Sequence, residues 1–263
     1  MPIRPLLPFL PLLSVVLLAF ADRPASALMI TTADGVGADT FVRWREDLVE
    51  SDTNYGDFTT VRTTDPQILN SAGFSNTRKT YLRFDLSAVG TDVVTEAALR
   101  LTFAGTGQGD TRDSVIRVYG LDDGNPGEGW GELDITWNNA PANFQSCCNA
   151  DGNASFLGEF TRAGDLPVDD VVSFDDAALA DFLNADTDGQ VTLILAGVGN
   201  GDNPGGPGTG IFNAFRSKES ASVIAGTVEP PTLDLTAVVI PEPGTALLLG
   251  LGLVGLAGRR RDA

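Results

Sequence analysis

Carboxylates dominate the polar chemistry of this 263-residue chain: 35 acidic residues stand against 17 basic ones, and histidine is absent. Without imidazole there is no Ser-His-Asp or Cys-His nucleophile, no His-ligated zinc and no His general base. A carboxylate pair is the remaining route to hydrolysis, one acid protonating the leaving group and the other acting as nucleophile or base. No aromatic-flanked pair rises above the spacings that so many acids produce by chance, so the chain reads as a non-enzyme. The only two cysteines, Cys147 and Cys148, are adjacent. They cannot join distant strands, and a vicinal disulfide, an intermolecular bridge and a pair of thiols all remain open. Two acidic loops, Asp122-Asp123-Gly124-Asn125 and Asp186-Thr187-Asp188-Gly189, suit turns as well as cation sites, and neither continues to the closing Glu of an EF-hand. Trp137, followed by Asn138-Asn139 and Pro141, reads as a core plug ahead of a turn. Trp130, in the loop Gly129-Trp130-Gly131, and Trp44, between Arg43 and Arg45, are the candidates for stacking on a sugar.

Those residues lie between two tails with chemistry of their own. Arg4 precedes an apolar run over 6–20, and Ala25-Ser26-Ala27 forms an A-x-A site, which predicts an export signal over 1–27 and a mature start at Leu28. Pro5, Pro8 and Pro11 argue against a buried N-terminal helix. At the other end, over 239–263, Pro241-Glu242-Pro243 leads into a Gly-rich apolar run over 244–258 and then Arg259-Arg260-Arg261. This order resembles the PEP-CTERM sorting signal. The resemblance implies processing by an exosortase-type enzyme in a Gram-negative, exopolysaccharide-producing bacterium, at the cell surface or in the extracellular matrix. The arginines would stay on the cytoplasmic side. A run of about 15 residues spans only ~22 Å as a helix, short of the ~30 Å hydrocarbon core, and so suits transient inner-membrane association followed by cleavage.

Setting aside 1–27 and 244–263 removes five arginines and two aspartates, leaving 12 basic and 33 acidic residues and a net charge of about −21. Nucleic acid is therefore excluded as a partner, because phosphate binding needs a basic face. Such acidity fits an extracellular protein, with divalent cations as natural counterions. Apolar residues make up 43% of the chain and alternate clearly, which argues against disorder.

The alternation has a period of two. Within 80–86, Tyr81, Arg83 and Asp85 oppose Leu82, Phe84 and Leu86; 97–103 and 115–121 repeat the pattern. Further strands are expected over 39–43, 58–62, 135–137, 156–160, 171–174, 191–196, 212–216 and 232–239, separated by Gly, Pro, Asn and Asp. Residues 175–185 instead place Ala178, Leu179, Phe182 and Leu183 at helical spacing, with Asp175 or Asp176 as cap. The stretch 197–210 reads as a long loop, since it lacks the Lys of a phosphate-binding loop. Many short strands and one short helix define an all-β fold, an antiparallel jelly-roll β-sandwich.

A second resemblance rests on an ordered set of pieces: Asp39-Thr40-Phe41-Val42, Asn54-Tyr55-Gly56, Lys79 to Leu86, Ala97 to Leu101, Thr136-Trp137-Asn138-Asn139-Ala140-Pro141, Phe215-Arg216-Ser217-Lys218-Glu219 and Pro231 to Leu235. The series is similar to a DNRLRE domain, and it covers 28–238. The resemblance implies a secreted jelly roll akin to carbohydrate-binding modules, often holding calcium and without a catalytic centre. Calcium needs six to eight oxygen ligands. The donors in the matching pieces are Asp39, Asn54, Asp57, Glu219 and Asp234, and a subset of them is the expected site. The resulting expectation is an exported, non-catalytic protein that binds polysaccharide or exopolysaccharide through a calcium-stabilised jelly roll. The alternatives are a structural or adhesive matrix protein with no defined glycan site and, further off, a polysaccharide lyase or hydrolase.

Overall fold

Alternation along each strand decides which side chains enter the core and which face outward. The computed structural model describes residues 25–45, 50–64, 76–106, 111–143, 150–199 and 211–239. In chain order these form β1 (Ser26–Thr31), β2 (Ala38–Arg45), β3 (Thr60–Thr64), β4 (Asn76–Asp85), β5 (Val93–Gly105), β6 (Ser114–Leu121), β7 (Ala154–Arg162), β8 (Val171–Phe174), α1 (Ala177–Ala185), β9 (Gln190–Gly199), β10 (Phe212–Arg216), α2 (Ala221–Ile224) and β11 (Thr232–Val238). The strands hydrogen-bond in the order β1-β11-β5-β10-β3-β4-β9-β6-β7, with β2 also on β4 and β8 also on β5. Every pairing is antiparallel. The long β5 joins β11 and β8 along one stretch and β10 at its far end, where the register shifts. The sheet thus curls on itself into an all-β jelly-roll sandwich.

Alternation fills two cores. Leu82, Phe84, Leu99, Leu101, Ile116, Val118, Leu193, Leu195, Phe215 and Leu235 pack between the two layers. The opposite face of β4, β6 and β9 is buried as well: Tyr81, Tyr119, Leu121, Ile194 and Ala196 pack with Trp130, Ile135, Trp137 and Ala142. The cover over this face is the run 122–143. Its stretch 135–137, expected as a strand, is irregular chain between two turns. Asn139 explains the difference: its Oδ1 accepts from the Thr136 backbone N at 2.6 Å and its Nδ2 donates to Asp134 O at 3.0 Å. Ile135 N donates to Gly131 O at 2.9 Å. With its backbone groups satisfied locally, this stretch needs no partner strand.

The expected helix forms as α1, and Asp176 caps it by accepting from Ala178 N at 2.9 Å. Strand β1 was not anticipated, because its first residues belong to the expected export signal. Ser26 and Ala27 pair with Ala237 and Thr236 of β11, so the expected cleavage point after Ala27, like Ala25 beside it, lies at the start of this edge strand. The expectations for Cys147 and Cys148, for residues 200–210, for Pro241, Glu242 and Pro243, and for Arg259, Arg260 and Arg261 fall outside the described residues. Among the described residues no helix is long and apolar enough to cross a membrane.

Candidate functional site

Strand β2 carries its chemistry on one face, at the two-residue spacing of a strand: Asp39, Phe41, Arg43 and Arg45. The sheet and two loops build a site around each of the first three.

Asp39 is the most constrained of them, with only 1% of its surface exposed. Its Oδ2 accepts from Thr32 Oγ1 at 2.5 Å and from Lys218 N at 3.1 Å, while its buried Oδ1 has no partner. Glu132 and Glu219 come alongside, and one carboxylate oxygen from each of the three residues lies within 4.8 Å of the others. Glu132 Oε1 accepts from Asp39 N at 2.8 Å, and its Oε2 pairs with Lys218 Nζ at 2.8 Å. Glu219 Oε2 is buried and has no partner. Burial pushes the Asp39 carboxyl up to about 7, with the Thr32 hydrogen bond opposing the rise and the Glu219 and Glu132 charges adding to it. Burial, then repulsion from Glu132, raises Glu219 too.

The set expected from the sequence is therefore rearranged. Of the expected donors, Asp39 and Glu219 come together. Glu132, which no spacing singled out, completes the trio because the loop of turns folds it back onto β2. Asn54 holds the loop that carries Glu132: its Nδ2 donates to Glu132 O at 2.8 Å and Ile135 O at 2.7 Å, and its Oδ1 accepts from Gly56 N. Asp57 is exposed and is not one of the trio. Asp234 lies on β11, 3.7 Å from Arg100 Nη1, and lines an open cleft with Glu96, Asp175, Asp176 and Asp181. A second group, Asp123, Asp186 and Asp188, draws together the two acidic loops noted in the sequence. It is more open to solvent, and Glu128 stands beside it with its carboxyl raised by burial and by these neighbouring charges.

Beyond Asp39, aromatic and guanidinium groups crowd together. Phe41 stacks on Tyr55 with ring centroids 4.4 Å apart, and Phe58 meets both edge-on at 5.6 Å and 5.1 Å. Phe58 is 37% exposed and forms the open side of this platform. The Arg62 guanidinium lies 5.2 Å from the Phe41 ring centroid, 5.1 Å from Phe58 and 5.6 Å from Phe212; Arg78 lies 5.1 Å from Phe212. Arg43 pairs with Glu50 at 2.7 Å. Among the described residues, neither Arg62 nor Arg78 has a carboxylate partner, and the buried Nε of Arg78 is unbonded. Burial, then the charges of Arg43 and Arg62, push Arg78 down to about 9. Such crowding of like charges is expensive unless an anion is at hand.

The tryptophans divide differently from expectation. Trp137 is a core plug, and Lys79 Nζ lies 5.3 Å from its ring centroid. Trp130 is only 7% exposed, its Nε1 donates to Thr192 Oγ1 at 3.1 Å, and Arg83 covers its ring at 4.9 Å. The expectation of an open stacking face on Trp130 is corrected, because the loop turns this ring onto Tyr81 and β9. Trp44 is half-buried against the second core, on the strand face opposite Phe41 and Arg43.

Comparison with known proteins adds to this geometry. Residues 32–156 match carbohydrate-binding module family 96, and residues 239–261 match the PEP-CTERM protein-sorting motif. The two matches support a PEP-CTERM protein with a carbohydrate-binding-like domain. The motif indicates a secreted, exosortase-sorted protein of the cell envelope, and the module match suggests non-catalytic carbohydrate binding. No curated protein matches the chain. Among solved structures, the empty head of turnip yellow mosaic virus aligns at 9% identity and a TM-score of 0.21 over 92% of each chain. A second turnip yellow mosaic virus structure aligns at 8% identity and a TM-score of 0.19, again over 92% of each chain. At those scores neither carries an argument about this domain.

Proposed function

We propose that the domain binds a polysaccharide bearing carboxylate or sulfate groups, such as an acidic exopolysaccharide, with Arg62 and Arg78 taking the anionic groups and Phe58 supplying a stacking face. The observation that carries this reading is two guanidiniums without a carboxylate partner among the described residues, in a chain of formal net charge −18. Arg suits the role because its planar fork meets a carboxylate or sulfate bidentately while its face packs on aromatic rings. Sorting through the PEP-CTERM motif would deliver the domain to the envelope, where such polymers lie.

Calcium is the second part of the proposal. Two oxygens on one calcium ion, each at about 2.3–2.6 Å, lie no more than ~5 Å apart, and the trio oxygens meet that limit. The orphan oxygens Asp39 Oδ1 and Glu219 Oε2 are donors waiting for a partner. Three carboxylates less the Lys218 ammonium leave two negative charges, which one divalent cation balances. Asp39, Glu132 and Glu219 would hold the ion, which would pin β2, the 122–143 loop and the turn after β10 to one another. Trp44 is the remaining tryptophan with an accessible edge, and would contact glycan only from the far face of β2.

Binding of a polyuronate by the full-length chain tests the glycan half. Arg62→Gln and Arg78→Gln should each weaken it at least about tenfold, the ~1.4 kcal/mol of one charge-assisted contact, with the melting temperature kept within a few degrees. Unchanged affinity in both variants would sink the proposed site.

A further inference from the structure

We infer that the cation site and the glycan platform are coupled, with the loop 54–59 as the connecting element. The inference rests on the calcium reading above and adds what the ion controls. This loop carries Tyr55 and Phe58, two of the three rings of the platform. It is fastened at both ends to segments that bear the trio. At one end Asn54 donates to Glu132 O and Ile135 O, and Gly56 lies so close that a Cβ there would stand 2.3 Å from Glu132 O. At the other end Ser217 Oγ donates to Phe58 O at 2.6 Å and Ser217 N to Thr59 O at 3.3 Å, immediately before Lys218 and Glu219. The third ring, Phe41, is on β2 two residues from Asp39 and stacks on Tyr55.

The electrostatics give the coupling its direction. Without a cation, Asp39, Glu132 and Glu219 repel one another, with the Lys218 ammonium paired to Glu132 opposing them. A divalent ion draws the Glu132 segment and the 217–219 turn together, and both fastenings of the loop tighten with them. The rings then hold the geometry that Arg62 spans, and the platform is ordered before glycan arrives. By linkage, glycan raises calcium affinity by the same factor that calcium raises glycan affinity.

Amide hydrogen exchange of the full-length chain, with and without millimolar calcium, tests this without any glycan. Calcium should slow exchange at 54–59 by about tenfold, a typical coupling factor, and raise polyuronate affinity by a similar factor. Asn54→Ala and, as a second variant, Ser217→Ala should keep the calcium-induced rise in melting temperature and lose the protection at 54–59. Calcium that raises the melting temperature while leaving exchange at 54–59 unchanged overturns the coupling and leaves the ion site standing. No response to calcium in either readout overturns both. Protection at 54–59 without any polyuronate binding supports the coupling of ion to loop and removes the glycan reading alone.

Discussion

Asp39 combines properties that seldom coexist: it is buried, partly unpartnered and titrates near neutrality. Its folded value, about 7, lies above the 3.8 of an unfolded chain. Between those two values the folded state keeps a proton that the unfolded state releases. The cation-free domain is therefore expected to lose stability as pH rises across that window, and Asp39→Asn to flatten the dependence. Melting curves in EDTA at about pH 5.5 and 7.5 check this; identical slopes in wild type and variant would refute it. Calcium should reverse the trend, because it competes with the proton for the same carboxylate. Gly56 makes the second prediction at this scale. Its position leaves no room for a Cβ against Glu132 O, so Gly56→Ala should destabilise the domain by about 1–3 kcal/mol through overpacking. Urea denaturation measures it. From the sequence, Asp39 and Glu219 were visible as donors because they sit in recognisable pieces. Glu132 was not, since its membership depends on a loop whose path follows from the Asn139 and Asn54 side chains.

At the scale of elements, period-two alternation located most of the strands and their faces. Leu82 and Phe84 enter one core and Tyr81 the other, as the pattern requires. The exception, 135–137, shows the limit of periodicity: three residues with apolar ends look like a strand whether or not a partner exists. Here side-chain amides satisfied the backbone first. The same loop hid the fate of Trp130, whose glycine neighbours suggested exposure while a second core on the outer face of β4, β6 and β9 absorbed it. The Trp137 plug and the buried Lys79 above it fasten this cover to the sheet, with Lys79 Nζ donating to Asn143 Oδ1 at 3.1 Å and Tyr81 OH to Pro141 O at 3.0 Å. Trp137→Ala should cost about 3–5 kcal/mol. Because the cover carries Glu132, the variant should also lose its calcium-induced rise in melting temperature. A variant of unchanged stability would mean that the cover does not hold the sheet.

For the molecule as a whole, charge and destination fit together. A strongly acidic exported domain repels acidic polymers over most of its surface, so recognition of such a polymer has to be local, at the few sites where cations outnumber acids. The cluster of Arg43, Arg62 and Arg78 is such a place, and its affinity should fall steeply with salt. The sorting motif over 239–261 was legible because its order is linear, whereas the arginine cluster was not, because Arg43, Arg62 and Arg78 come from three strands that only pairing brings together. The most direct test is calorimetric titration of the full-length chain with a polyuronate and with the same polymer after its carboxylates are reduced to hydroxymethyl groups. The account predicts binding of the acidic form and at least a tenfold loss on reduction, about 1.4 kcal/mol. Equal affinity for the two polymers would contradict it.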